Sequence, residues 1–135
     1  MMFINLLFLM MGLQSANYAE LVKTRTHEWQ MAPGITVCNN SGVHSYRVSQ
    51  SVKYWERLGY KFDYIRYDDS ISCGEPRYGE IIITLPNQEF DFGNHLASTR
   101  ITISNKTKEI VKAKIFVFPK TANKERVIEH ELGHA

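Results

Sequence analysis

The run His130-Glu131-Leu132-Gly133-His134 concentrates the side chains best suited to chemistry. Two histidines four positions apart on a helix are separated by about 1.1 turns. Both imidazoles then project from one face and can share a tetrahedral Zn²⁺ at about 2.0–2.1 Å. Glu131 follows the first histidine and is angled toward the same cleft. A carboxylate so placed need not bind metal: it can take a proton from a water whose pKa the cation has lowered and pass it to a leaving amine. Two histidines do not complete such a site, because a third protein ligand is required. The plain alternative is an amphipathic surface helix whose His and Glu are merely solvated.

The remaining histidines are His27, His44 and His95. His95 falls in a loop before an expected edge strand and is the nearest place for a third ligand. Its neighbour Asp91 is separated from it by Gly93, a poor ligand set, so an exposed loop histidine is expected. His44 belongs to the opening turn of the first helix, and His27 precedes the fold. Asp68 and Asp69 form an acidic pair of the sort that can join a calcium site, although such pairs are usually only solvated.

A metal-holding helix has to be capped and packed. Asn123 can cap it, Glu125 lies in its first turn, and Val127, Ile128 and Leu132 supply an apolar stripe. Ahead of it the pattern predicts β-α-β-β-β-β. Ile35-Thr36-Val37-Cys38 is a first strand, followed by a helix capped by Ser41. Val48, Val52, Trp55 and Leu58 recur on that helix, and Gly59 ends it. Residues 62–67 alternate as a second strand. The third, 80–85, is apolar through its centre, as in a strand buried on both faces. Residues 99–103 and 110–118 read as a hairpin, ended by Pro119. A helix between the first two strands implies a right-handed parallel crossover.

With Ala135, the run resembles the start of the extended metzincin signature, HExxHxxGxxH. The glycine at its second variable position and the alanine after the second histidine are common in the matrixin-like branch. The element order is similar to the metzincin upper subdomain, an α+β unit with a mixed, twisted five-stranded sheet and two long helices. The likeness spans residues 35–135, but only the last six are motif-specific. It implies a zinc endopeptidase with one catalytic Zn²⁺, His130 and His134 as the first two ligands and Glu131 as general base. It also implies that Thr99, Arg100, Ile101, Thr102 and Ile103 form an edge strand that holds peptide substrate by strand addition. The signature's glycine turn and third histidine, and the family's lower subdomain, would fall after Ala135. The chain is therefore expected to be the N-terminal part of such a domain, inactive by itself. Two other readings stay open: a thermolysin-like zinc peptidase, and an exported binding or structural domain with a degenerate zincin fold.

Length and composition agree with one domain: 135 residues, 44% hydrophobic and 22% charged, enough for a packed core. Sixteen basic residues against 14 acidic give a net charge of +2, which predicts no strong attraction to nucleic acid or anionic membrane. Residues 3–11 are an uninterrupted, uncharged, largely apolar run, too short to span a bilayer of roughly 30 Å. Small residues follow at Ser15, Ala16 and Ala19. A signal peptide over residues 1–19 is expected, giving a secreted or periplasmic product with no stable membrane insertion after cleavage. A buried N-terminal helix or an uncleaved anchor is the alternative. Residues 20–34 read as an irregular lead-in. The two cysteines, Cys38 and Cys73, can form a disulfide closing a loop of about 35 residues, or remain two buried thiols.

Overall fold

Ile81-Ile82-Ile83 has no polar side to turn to water, and it occupies the centre of a five-stranded sheet. The computed structural model describes residues 27–86 and 97–135. The expected leader over 1–19 and the loop residues Asp91, Gly93 and His95 lie outside them. The sheet runs β2-β1-β3-β5-β4. Its strands are β1 (Gly34–Cys38), β2 (Ile65–Asp68), β3 (Glu80–Thr84), β4 (Ala97–Ile103) and β5 (Ile110–Val117). β1 lies parallel to β2 and β3, and β5 parallel to β3. β4 runs antiparallel to β5 and forms an edge. Among the described residues, three helices complete an α+β fold: α1 (Ser45–Arg57), α2 (Pro119–Ala122) and α3 (Val127–His134). Among the described residues, no helix is long and apolar enough to cross a membrane.

Alternate residues of the central strands meet the helices. Ile35, Val37, Ile81, Ile83, Ile115 and Val117 share one core with Val48, Val52 and Trp55 of α1 and Ile128 and Leu132 of α3. Residues pointing the other way, Thr36, Glu80 and Ile82, are buried as well. The loop after β2 crosses that second face. Cys73 is bonded to Cys38 of β1, with Cα atoms 5.7 Å apart. Gly74 lies over Thr84 of β3, and Glu75 pairs with Lys114 of β5 at 2.6 Å. One disulfide-anchored loop thus covers what the helices leave open.

Four local expectations change. α1 begins at Ser45, with His44 as its extended N-cap residue. Ser41 instead closes a 3₁₀ turn (Asn39–Ser41): its hydroxyl donates to the Cys38 carbonyl at 2.7 Å and accepts the Val43 N–H at 3.3 Å, so its oxygen serves the turn rather than α1. The second strand starts at Ile65, because Tyr64 folds its ring over Gly34: a Cβ there would stand 2.1 Å from that ring. Gly34 is the first residue of β1, which shortens the irregular lead-in. The closing helix is broken in two. Asn123 ends α2, and Arg126, with φ 69°, precedes α3. The side chain of Asn123 donates to the Gly42 carbonyl at 2.8 Å and accepts the His44 N–H at 2.8 Å, so it is spent across elements. α1 does end at the predicted glycine: Gly59 has φ 99°. Its N–H reaches the Glu56 carbonyl at 3.0 Å and that of Tyr60 the Trp55 carbonyl at 3.2 Å, which is a Schellman closure.

Candidate metal centre

α3 packs against α1, β4 and α2, with its apolar side in the core. Val127, Ile128 and Leu132 are buried, whereas His130 is half-buried and His134 exposed. The stripe that anchors the helix in the core therefore turns the histidines outward. Their Nε2 atoms stand 3.1 Å apart, with ring centroids at 4.8 Å. Without a cation, one ring must donate an N–H to the other at this distance. Two nitrogens bound at about 2.0–2.1 Å to one tetrahedral ion would lie roughly 3.3 Å apart, so the pair fits Zn²⁺ with almost no rearrangement.

Glu131 sits about 100° around the helix from His130 and is only 6% exposed. Its carboxylate Oε1 accepts the Thr99 hydroxyl of β4 at 2.5 Å. The same hydroxyl lies 3.2 Å from the Glu131 main-chain oxygen. One helix thus presents two imidazoles to the outside and keeps the intervening carboxylate against the edge of the sheet. Burial pushes the neighbouring Glu129 carboxyl above its ordinary 4.5, Arg126 opposes the shift, Glu125 adds to it, and Arg47 and Arg57 oppose it further.

The other candidates fall elsewhere. The Nδ1–H of His27 donates to the Lys108 carbonyl at 2.7 Å, tying the residue to the β4–β5 turn. His44 is exposed and occupies the N-cap position of α1 without a side-chain capping bond. The calcium idea at Asp68 and Asp69 gains no ligand set. The Asp68 carboxylate accepts the Ser70 N–H at 2.8 Å and pairs with Arg66 at 3.6 Å. The Ser70 backbone bond is the first cause holding that carboxyl below its ordinary 3.8, with Arg66 contributing less. Among the described residues, no group of three or more His, Cys, Asp or Glu could hold an ion, and two histidines by themselves fall short of the three protein ligands that a zinc site takes. A cavity of about 60 Å³, lined by Trp29, Trp55, Tyr60, Phe62 and Leu132, touches α3 but not His130, Glu131 or His134.

Thr99, Arg100, Ile101, Thr102 and Ile103 do form the edge strand beside this helix. The spacing of residues does not reveal that Thr99 reaches Glu131. The available signal is one hydroxyl in the row Ala97, Thr99, Ile101, which faces a single side by strand alternation. Searches of family models, of curated proteins and of solved structures returned no significant match to this chain.

Proposed function

We propose that this chain carries the first part of the active site of an exported zinc-dependent endopeptidase of matrixin-like metzincin type. The observation that supports this most is the pair of Nε2 atoms at 3.1 Å, on a helix whose intervening carboxylate is buried and held by an edge strand. A mixed five-stranded sheet with one antiparallel edge strand next to the helix is the frame such a site uses. The Cys38–Cys73 bond fits an oxidising destination.

In this reading His130 and His134 hold the ion, and a third protein ligand lies about six residues beyond His134. Bound there, Zn²⁺ supplies Lewis-acid polarisation of a carbonyl and lowers the pKa of a water. Glu131 takes the proton of the attacking water as its oxygen bonds to the scissile carbonyl carbon. It returns that proton to the departing amine nitrogen as the C–N bond breaks. The outer edge of β4, from Thr99 to Ile103, would take the peptide as an added strand through main-chain hydrogen bonds.

The test begins with the coding DNA beyond Ala135, which reveals whether the signature is completed by a glycine and a third histidine. The whole protein is then titrated with Zn²⁺ and assayed on a casein-type substrate. One ion per chain is expected, with binding lost in His130→Ala and in His134→Ala. Glu131→Ala should keep the ion and lose cleavage. Zinc binding indifferent to both histidines, or full cleavage by the Glu131 variant, overturns the proposal.

A further inference from the structure

We infer that Thr99 is a positioning residue that sets the orientation of the Glu131 carboxylate, an inference that rests on the proposed hydrolytic role of Glu131. By strand alternation β4 turns Ala97, Thr99 and Ile101 toward one side. Thr99 is the only one of the three that can hydrogen-bond through its side chain. It has one hydroxyl proton and meets two acceptors of the same residue, Oε1 at 2.5 Å and the main-chain oxygen at 3.2 Å. The shorter contact has the length of a charge-assisted bond to a carboxylate. A glutamate has three rotatable side-chain bonds, so burial alone does not fix the plane of its carboxylate. A donor at Oε1 removes the last of that freedom.

The placement also couples two tasks. The strand proposed to carry the substrate is the strand that holds the base. A peptide docking along the outer edge of β4 therefore meets a backbone whose side chain already fixes Glu131. Errors of about 1 Å in a reacting group cost up to roughly 100-fold in rate, so orientation of this carboxylate matters to turnover more than to binding.

The experiment compares Thr99→Val, which keeps the shape and loses the hydroxyl, with Thr99→Ser, which keeps the donor. Both are made in the whole zinc-loaded protein. Thr99→Val should lower kcat about 10- to 100-fold with KM nearly unchanged, and Thr99→Ser should recover most of the loss. A second readout needs no turnover. In the metal-free protein with ¹³C-labelled glutamate, the infrared bands assigned to Glu131 by difference from Glu131→Gln should shift in Thr99→Val and stay in Thr99→Ser. An unchanged kcat in Thr99→Val, or a rise confined to KM, overturns the inference while the peptidase reading stands. If the wild type is inactive with the infrared contact intact, the peptidase reading fails and takes the positioning role with it.

Discussion

Trp55 donates its indole N–H to the main-chain carbonyl of Glu129 at 2.8 Å, so α1 grips the helix of the candidate metal centre one residue before its first histidine. The indole is 3% exposed and packs edge-on against Tyr54 and Tyr60, with ring centroids at 5.3 and 5.5 Å. Trp55→Phe keeps an aromatic ring but removes the donor and part of the buried area. A loss of about 1–3 kcal/mol in unfolding free energy is expected. Urea unfolding measures it, and Zn²⁺ affinity should fall in the same variant because the histidine helix loses its grip. A midpoint and affinity equal to wild type would show that α3 is set by the core alone.

The disulfide anchors the loop that covers the second face of the sheet. Its sequence separation is 35 residues, and closing a loop of that length in the unfolded chain is worth about 3–4 kcal/mol on the chain-entropy model. Replacing both Cys38 and Cys73 by Ala should lower unfolding free energy by up to that amount. Dithiothreitol should lower the wild type to match and leave the variant where it is. A wild-type midpoint that ignores the reductant contradicts the bond.

Asn123 illustrates why part of the fold was legible and part was not. Periodicity found α1, because Val48, Val52 and Trp55 repeat on one face and Gly59 stops it. Strands β1, β3, β4 and β5 were visible for the same local reason. Asn123 also read as a local signal, a helix cap, yet its amide serves Gly42 and His44, which stand 81 and 79 residues away in sequence. Tyr64, which delays β2 by covering Gly34, is another long-range contact that no window shows. At the candidate centre the His pair could be read from helical spacing. The Thr99–Glu131 bond depends on how α3 meets β4, and only the packed structure supplies that.

The same asparagine gives a prediction. Asn123→Ala removes one donor and one acceptor that join the start of α1 to the segment before α3. Leaving the Gly42 carbonyl and the His44 N–H without it should cost about 1–3 kcal/mol, the upper part of the range only if water cannot replace it. Thermal unfolding checks this. Asn123→Asp, which can still accept from His44 but sets a carboxylate oxygen against the Gly42 carbonyl, should not recover the wild-type stability. An alanine or aspartate variant as stable as wild type would argue against the bridging role.

Glu80 gives the fold an acid limit. Its carboxylate, fully buried at the start of β3, accepts the hydroxyls of Thr36 and Tyr64, each at 2.6 Å, and the Arg77 N–H at 3.2 Å. Arg66 lies at 3.5 Å. Burial alone would push this carboxyl up, but the Thr36, Tyr64 and Arg77 bonds and the Arg66 charge together outweigh it and hold it below its ordinary 4.5. The phenol of Tyr64 is correspondingly held protonated above its ordinary 10.0, first by burial and then by its bond to Glu80. Because the folded carboxyl binds its proton less readily than the unfolded one, its contribution is fully present above about pH 4.5. It is lost as pH falls through the lowered folded value. Glu80→Gln should therefore be less stable than wild type at pH 7, by about 1–3 kcal/mol for charge-assisted bonds exchanged for neutral ones. The gap should narrow as the pH falls below about 4.5. Urea midpoints measured from pH 7 to pH 3 decide it, and a gap that stays constant or widens in acid would mean that Glu80 is not the group responsible.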